Sequence, residues 1–246
     1  MVEKKKNVEE KVLITVKDVK GFLSPLVNLS SKINSVIFEE ESGSLRVDAL
    51  SIDKTMICNL VFSKDVVEVN TDEVKIPIFN LPEFLNVIKF FEATENLQLQ
   101  LKGNKIQILN GSSKFDYVLA DPDLIKTAPK GGLKAKFIID LEMPSDFNKK
   151  VKAVAATLGV TTLKIGKSDK KVFIKVCGKS SLGHEFTEII KTNGTELPED
   201  DFVIALEIDK LGIIQDGVNM TLSVNEKVTK WVNKDFAYYI ATQVEG

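Results

Sequence analysis

The side chains that could catalyse a reaction or hold a metal are few and far apart. His184 is the only histidine, and no second histidine or nearby cysteine gives it the ligand spacing of a metal site. The acids Glu199 and Asp200 lie in a predicted turn without flanking apolar residues, so nothing there indicates the raised pKa that acid–base catalysis uses. These patterns favour a protein that is not an enzyme and has no catalytic residue, metal site or cofactor.

The two cysteines and the amino terminus indicate the compartment. Cys58 and Cys177 both lie in apolar, strand-like runs, TMICNLVF and VFIKVCG, which predicts reduced, buried thiols and no disulfide framework. The charged leader at residues 1–10, MVEKKKNVEE, has no apolar signal-peptide core, and no later stretch has the roughly 18 apolar residues of a membrane span. We therefore expect a cytoplasmic protein with no membrane partner, whose leader lacks fixed structure.

Lysines are the other candidates for chemistry, and four of them lie in one unusual stretch at residues 120–136, ADPDLIKTAPKGGLKAK. This stretch could be a flexible tether, a phosphate-binding loop or a strap between two halves. It lacks the strand-then-helix context and the Gly-Lys-Ser/Thr ending of a Walker-type loop. Its prolines restrict the chain and its adjacent glycines permit a turn, which favours a connector held in place.

The elements that would position these side chains repeat four times. Each copy is a strand, a helix of about three turns and three further strands, and the copies start about every 60 to 65 residues, near Lys11, Val74, Lys136 and Asp201. The only Pro/Gly/Lys-rich break separates copies two and three. We therefore predict an α+β protein with two similar domains, 11–120 and 136–246, each built from two β-α-β-β-β modules and joined by a connector at 121–135.

Capping residues and apolar spacing place the helices, and the first is predicted in KDVKGFLSPLVNLSS, with Lys17 on its outward face. Asn80 is the predicted N-cap of the second helix, with Pro82 in its first turn, while Ser145 and Gly159 are predicted to begin and end the third. The fourth helix, in IDKLGIIQDG, is predicted to be short and poorly formed. The predicted inward residues of the first three helices are Val19, Phe22, Leu23 and Leu26; Leu81, Phe84, Leu85 and Ile88; and Phe147, Val151, Val154 and Leu158.

The opposite faces of these helices carry lysines and few acids, although the chain as a whole has 33 Lys and Arg against 35 Asp and Glu. The acids are concentrated in turns such as FEEESGS and ELPEDD. Such segregation is typical of helices that meet a polyanion through phosphate contacts that do not read bases. Solvated helix faces without a ligand would show the same pattern, so composition leaves both interpretations open.

The order of these modules resembles the sliding DNA clamps of the trimeric, two-domain type, which include proliferating cell nuclear antigen. Several stretches are similar to the clamp of T-even-type bacteriophages: KINSVIFEEESGSLRVDALSIDKTMICNLVF, PIFNLPEFLNVIKFF, YVLADPDLIKTAPKG and the final DFAYYIATQVEG. The resemblance extends from about Val12 to the end of the chain. It implies a DNA-clamp fold with helices on the inner face and antiparallel sheets outside.

The resemblance also implies a function and partners. A clamp of this type is a non-catalytic processivity factor in DNA replication. It encircles double-stranded DNA, without regard to sequence, as a homotrimeric ring, and it tethers DNA polymerase and other replication proteins. An ATP-dependent clamp loader places it on DNA. If the chain is a viral, bacteriophage protein, it acts in the host cytoplasm.

By position, the resemblance assigns three groups of residues. The residues expected to face DNA are Lys17, Lys20, Lys89, Lys149, Lys150, Lys152 and Lys210. The residues expected to form a partner-peptide pocket beside the connector are Leu124, Ile125, Pro129 and Val244. The residues expected at the subunit interface, between the last strand before the connector and the third strand of copy three, are Lys114, Phe115, Tyr117, Leu119, Phe186, Glu188 and Ile190.

A second hypothesis belongs to another class. The chain could be a β-rich interaction or structural module, without catalysis, whose repeat arose by duplication and whose lysines are solvated. Such a module would not encircle DNA. Oligomeric state separates the two hypotheses, because a closed ring requires three copies of the 27.3 kDa chain.

Overall fold

Helices and strands follow the predicted repeating order in a computed structural model that describes residues 14–71, 74–92, 95–178, 183–194, 196–214 and 218–244. The leader at residues 1–10 lies outside the described residues. The first module contains β1 (Ile14–Asp18), α1 (Val19–Ser30), β2 (Val36–Glu41), β3 (Ser44–Leu50) and β4 (Met56–Val61), and the short β5 (Val67–Val69) follows it. The second contains β6 (Lys75–Ile78), α2 (Leu81–Lys89), β7 (Glu95–Lys102), β8 (Lys105–Asn110) and β9 (Ser113–Val118).

The connector and the second half of the chain continue the same order. The connector contains a 3₁₀ turn at Pro122–Leu124. The third module contains β10 (Ile139–Glu142), α3 (Phe147–Leu158), β11 (Thr162–Ser168), β12 (Lys171–Cys177) and β13 (Glu185–Thr192). The fourth contains β14 (Phe202–Glu207), a 3₁₀ helix (Ile208–Ile213), β15 (Asn219–Ser223), β16 (Val228–Val232) and β17 (Phe236–Ala241), and β18 (Gln243–Val244) ends it. The predicted α+β class and modules are confirmed.

The chain divides into two compact units. The first unit contains residues up to Val27, Ser35–Val47 and Val61–Ile125, and the second contains Asn28–Asn34, Asp48–Leu60 and Lys126–Gly246. Most of β4 belongs to the second unit because residues 56–60 pair with residues 236–240 of β17. The predicted domain limits at 120 and 136 stay a prediction.

The first unit is built from two antiparallel groups of strands and two helices. One group has the order β5-β1-β7-β8-β9, and the other contains the first part of β3, then β2 and β6. Phe22 of α1 and Phe84 of α2 both pack on Phe38 of β2, with ring centroids 5.9 and 6.0 Å apart. Burying each such ring contributes about 1.5–3 kcal/mol, so the apolar faces of the helices stabilise this unit.

The second unit contains one antiparallel series of strands, in the order β18-β14-β11-β12-β13-β10-β15-β16-β17-β4. Phe147 of α3 stacks on the buried Trp231 of β16, with ring centroids 5.8 Å apart. Asn148 of α3 donates a hydrogen bond to the backbone carbonyl of Ile214 at 2.8 Å. These two contacts hold α3 on the sheet and fix which of its faces meets solvent.

The first and third helices begin at residues other than those predicted. The Asp18 carboxylate accepts the backbone N–H of Gly21 at 3.0 Å, so α1 begins at Val19 and Lys17 lies on β1 instead of on the helix. A Cβ atom on Gly21 would come within 2.5 Å of that carboxylate, which explains the glycine. In the third module the N-cap is Asp146 and not Ser145, although it makes no side-chain cap bond.

Other local predictions are confirmed. Asn80 caps α2 by accepting the N–H of Glu83 at 3.2 Å, and Pro82 lies in the first turn. Gly159 ends α3 in the left-handed conformation with φ of 65°. The predicted inward residues of α1 and α2 are all buried. On α3, Val154 and Leu158 are only half-buried, because Asn148 and Ala155 share the buried face with Phe147 and Val151.

Among the described residues, no helix is long and apolar enough to span a membrane. Cys58 and Cys177 are free thiols. Cys58 is buried as predicted, and burial raises the pKa of its thiol. Cys177 is half-buried at the end of β12 instead of fully buried.

Candidate functional site

Exposed lysines lie on both helices of the first unit. Lys20 is exposed on α1, beside the buried Val19. Lys89 is exposed in the last turn of α2, where a cation also stabilises the helix dipole. Asn86, one turn before Lys89, is exposed as well. The described part of the chain places no ion-pair partner at Lys20 or Lys89, so both ammonium groups are available to a ligand.

The third helix carries the largest group of lysines. Lys149 and Lys152 are exposed on α3, and neither has an ion-pair partner among the described residues. Lys150 differs from them because its Nζ donates to the Glu188 carboxylate of β13 at 2.9 Å and lies 3.6 Å from that of Asp146. The hydrogen bond to Glu188 raises the pKa of Lys150. Lys150 therefore joins α3 to β13 instead of presenting a free charge.

Two other lysines predicted to face DNA are engaged within the protein. Lys17 on β1 forms an ion pair with Glu68 at 2.8 Å, and this hydrogen bond lowers the pKa of Glu68. Lys210 lies in the 3₁₀ helix, and its side chain is only 8% exposed. Its Nζ lies 3.0 Å from the Glu207 carboxylate and 3.8 Å from that of Asp53. The expectation that Lys210 presents its charge to a ligand does not fit this burial.

The charge of the three α-helices contrasts with that of the whole chain. Their segments contain five lysines, namely Lys20, Lys89, Lys149, Lys150 and Lys152, and one acid, Glu83. The whole chain has 33 basic and 35 acidic residues. The helices are thus locally cationic in a chain with a net charge of −2, which suits contact with a polyanion.

Each unit also has an unpaired strand edge. In the first unit, β9 is the last strand of its sheet and pairs only with β8 in the described structure. In the second unit, β12 pairs with β13 along 185–190, while β10 reaches only Lys191 and Thr192. The described residues therefore leave one side of 185–190 without a neighbouring strand. Open backbone donors and acceptors of this kind readily pair with another chain.

The side chains on these two edges are mixed in exposure. On β9, Lys114 and Phe115 are exposed, while Tyr117 is buried, donates to the Asn80 carbonyl at 3.2 Å and packs on Phe84. Leu119, just beyond β9, is half-buried.

On β13, Phe186 and Glu188 are half-buried, and Ile190 is buried. Val118 and Ile189, which were not predicted as interface residues, are the most exposed apolar residues of the two edges, at 59% and 58%. Their positions could have been found from the sequence, because both are apolar residues at outward-facing positions of strands with alternating burial.

The connector residues predicted to bind a partner peptide lie in different surroundings. Leu124 is 66% exposed and Pro129 is exposed, whereas Ile125 is buried. Farther along, Thr127 bridges to Ala49, and Ala128 donates to the Asp48 carbonyl at 3.2 Å. The backbone of Val244 pairs with Ile204 of β14, while its side chain lies outside the described part of the structure.

A cavity of about 370 Å³ in the second unit contains none of these four residues. It is formed by four segments: the start of β4 with the turn before it, the end of the connector, the turn before β16 with its first residue, and the end of β17. The lining residues are Lys54, Thr55, Met56, Ile57, Leu133, Lys134, Ala135, Glu226, Lys227, Val228, Tyr239 and Ala241. We call it the connector cavity. Its apolar interior can accept an apolar side chain.

Tyr239 ties the connector to the wall of this cavity. Its ring packs with the buried Ile57, Ala128 and Val228. Gly132 lies so close to it that a Cβ atom would be 2.2 Å from the tyrosine hydroxyl, and its φ of 79° also favours glycine. Lys230 places its Nζ 5.7 Å from the ring centroid. The connector was predicted from the sequence but Tyr239 was not, because the pairing of β16 with β17 brings Tyr239 to the cavity.

The turn before β4 forms a fixed edge of the connector cavity. The Asp53 carboxylate accepts hydrogen bonds from the Ser51 hydroxyl at 2.5 Å, and from the Thr55 hydroxyl and N–H at 2.6 and 3.1 Å. These bonds, with that from Ser51 the strongest, lower the pKa of Asp53 to about 2. Lys210 acts on Asp53 only weakly, at 3.8 Å.

The described residues contain no group of three or more His, Cys, Asp or Glu side chains that could hold a metal ion. His184 is exposed ahead of β13, and Glu199 and Asp200 lie in a bend, where their carbonyls accept hydrogen bonds from Lys167 at 2.9 and 3.3 Å.

Comparison with solved structures identifies the fold. Proliferating cell nuclear antigen from Entamoeba histolytica matches with a TM-score of 0.74 over 94% of this chain and 99% of that chain, at 16% sequence identity. The chain has the sliding-clamp fold. PCNA of A. fulgidus, with the C-terminal region of FEN-1 bound, matches this clamp-fold chain with a TM-score of 0.71 over 95% of this chain and 98% of that one, at 16% identity.

A PCNA2–PCNA3 complex from Sulfolobus tokodaii gives a TM-score of 0.70 over 96% of this clamp-fold chain and 100% of that chain, at 13% identity. No protein-family model matches the sequence, and no curated protein matches it. The structural matches thus show the clamp fold at 13–16% identity, where neither the family models nor the curated proteins give a match.

Proposed function

We propose that the chain is a sliding clamp, a processivity factor without catalysis of its own. Three copies join head to tail around double-stranded DNA, and the ring tethers DNA polymerase and other replication proteins. The observation that carries this proposal is the excess of five lysines over one acid on the three α-helices of a clamp-fold chain that is slightly acidic overall. Exposed lysines contact phosphates without reading sequence, and such screened contacts permit sliding.

In this proposal the two open strand edges close the ring. Residues 113–118 of one subunit pair with 185–190 of the next, so the two surfaces of each contact differ and a closed ring results. Phe115, Val118 and Ile189 then become buried, which removes exposed apolar surface from both edges. That PCNA2 and PCNA3 form a complex in a related fold supports association of this kind.

Covalent closure of the ring tests encirclement. In a Cys177→Ser background, Lys114→Cys and Thr187→Cys would be joined across subunits by a bismaleimide after an ATP-dependent loader has placed the protein on nicked circular DNA. A closed ring predicts a trimer that stays on the circle in detergent and leaves after linearisation. Each single cysteine variant is a matched control, since it cannot close the ring. The proposal would be contradicted if the linked protein stayed on the DNA after linearisation, or if the protein remained a monomer at micromolar concentration.

The connector cavity is the proposed site for partner segments from polymerase and clamp loader. Its apolar lining and its position beside the connector support this role. The PCNA of A. fulgidus binds the C-terminal region of FEN-1, which supports capture of a short terminal segment by a protein of this fold. Ala241→Trp would fill the cavity and should abolish stimulation of the polymerase, while Ser168→Trp, at the exposed end of β11, should not. Equal stimulation by both variants would exclude this cavity.

A further inference from the structure

We infer that the connector cavity selects partner segments in which aspartates or glutamates flank a large apolar side chain. This inference rests on the proposed role of the cavity and adds the chemistry of its occupant. Three exposed lysines, Lys54, Lys134 and Lys227, line the cavity, and we call them the rim lysines. The only acid in the lining is Glu226.

The charges of the rim are not balanced within the protein. Glu226 accepts a hydrogen bond from the Ser223 hydroxyl, so it is directed to its own turn. Across the described part of the chain, no carboxylate forms an ion pair with a rim lysine. Elsewhere in the same unit, Lys32, Lys167, Lys175 and Lys210 each have a carboxylate partner. Like Lys149 and Lys152 of α3, the rim lysines therefore keep their charge without a carboxylate partner among the described residues.

Backbone conformation gives a second, independent observation. Lys54 and Lys227 both have positive φ angles, 58° and 55°. Their turns are held by hydrogen bonds from the Lys54 N–H to the Ser51 carbonyl at 2.9 Å and from the Lys227 N–H to the Val224 carbonyl at 3.3 Å. Glycine or asparagine adopts this conformation at lower cost. The two turns therefore hold the backbones of Lys54 and Lys227 in defined positions beside the cavity.

The residues between the rim lysines determine which kind of partner side chain fits the centre of the cavity. Met56, Ile57, Val228 and Tyr239 are buried residues of the wall, so the centre of the cavity favours an apolar side chain. The cations lie on three different segments around it, which places positive charge on more than one side. A segment with one apolar anchor and carboxylates before and after it matches both features. Because the rim lysines are exposed, their contribution should be sensitive to salt.

Fluorescence anisotropy with three labelled peptides tests this inference on the full chain. The first peptide carries a Phe-Leu pair flanked by aspartates, the second has asparagine in place of each aspartate, and the third is the first with an amidated carboxyl terminus. We expect the aspartate peptide to bind about tenfold more tightly than the asparagine peptide at low salt, and this ratio to shrink as salt is added. Amidation should change little, because side-chain carboxylates and not the terminal one supply the charge.

Matched variants assign the effect to the rim. Lys54→Gln/Lys134→Gln/Lys227→Gln should remove the preference for aspartate, so that the aspartate and asparagine peptides bind alike. The control Lys105→Gln/Lys171→Gln/Lys191→Gln changes net charge equally at exposed lysines away from the cavity and should keep the preference. Loss of the preference in the control would mean that overall charge is responsible and would overturn the inference.

The remaining outcomes separate this inference from the proposed function. Equal binding of the aspartate and asparagine peptides, both blocked by Ala241→Trp, would overturn the acidic preference and leave the cavity as the partner site. Binding that depends mainly on a free terminal carboxylate would overturn it as well. Peptide binding that Ala241→Trp does not affect would exclude the cavity altogether, and the inference with it.

Discussion

The third and fourth modules occupy the same unit and share one order of elements, yet they use their lysines in opposite ways. In α3, four of twelve residues are buried, and Lys149 and Lys152 remain exposed. In the 3₁₀ helix at Ile208–Ile213, four of six residues are buried, and Lys210 is one of them.

The length of the helix accounts for this difference. A twelve-residue α-helix can bury one stripe and keep a separate polar face. Six residues in a 3₁₀ helix that buries Ile208, Leu211 and Ile213 have little surface left, so Lys210 turns to Glu207 and Asp53. A lysine in a repeated position is therefore a candidate for DNA contact only where its helix is long enough to have a free face.

The largest effect should come from the exposed lysines of α3. Lys149→Glu/Lys152→Glu reverses charge on the proposed DNA-facing surface in every subunit, and we expect retention on nicked circular DNA to fall about tenfold or more. The lifetime of the loaded protein over a range of salt concentrations checks this, and the salt dependence should become shallower. Lys170→Glu/Lys171→Glu, at exposed positions where β12 begins, is the charge-matched control. An unchanged lifetime in the α3 variant would remove α3 from the DNA-contacting surface.

The opposite result is expected for Lys210. Lys210→Met keeps the packing of the stem but removes the ion pairs to Glu207 and Asp53, and it should lower the free energy of unfolding by about 1 kcal/mol. DNA retention should not change, because the ammonium is not exposed. Urea denaturation measures the first quantity, and Lys149→Met, expected to lie within about 0.5 kcal/mol of wild type, is the control. A loss of retention in Lys210→Met without a loss of stability would reverse the contrast between the two modules.

Lys150 is on α3 like Lys149, but it forms an ion pair like Lys210. A substitution there tests the subunit contact. Lys150→Gln breaks the ion pair to Glu188 on β13, the strand proposed to pair with the neighbouring subunit. We expect the trimer to dissociate at a somewhat higher protein concentration, with less change in the salt dependence of DNA retention than in Lys149→Gln. Sedimentation at several concentrations distinguishes the two variants. The same change in both would mean that Lys150 acts as another DNA-facing lysine.

Much of the fold could be predicted because its signals are local. Asn80 caps α2 through a residue three positions away, and Gly159 ends α3 through its own backbone conformation. The repeated alternation of apolar residues likewise gave the modules in their order. The start of α1 was placed too early, because the Asp18 carboxylate accepts the N–H of Gly21 and the helix begins after Asp18. Lys17 therefore lies on β1.

The candidate site was harder to predict, since its geometry depends on residues distant in sequence. Lys210 lies 3.8 Å from the carboxylate of Asp53, which is more than 150 positions earlier in the chain. The connector cavity is assembled from four separate segments, so Tyr239 and the rim lysines gave no local signal. Connector residues such as Leu124 could be named from their position, but position alone did not show that the cavity lies farther along, at Leu133–Ala135.

The smallest effect concerns Asp53, the carboxylate beside Lys210. Its pKa falls from an ordinary value of 3.8 to about 2, mainly through hydrogen bonds from Ser51 and Thr55, and only slightly through Lys210. A carboxyl group with a lowered pKa in the folded state stabilises the fold above its unfolded pKa, and this contribution is lost as the pH falls from about 4 to about 2.

We expect Ser51→Ala to raise the pKa of Asp53 clearly, whereas Lys210→Met should raise it only slightly. Carboxyl-carbon NMR titration of Asp53 in the three proteins measures this directly. A larger shift in Lys210→Met than in Ser51→Ala would mean that the buried lysine, and not the turn, holds this carboxylate ionised. The ion pair between Lys210 and Asp53 would then be strong. Lys210 would contribute more to the free energy of unfolding than its 3.8 Å separation from Asp53 indicates.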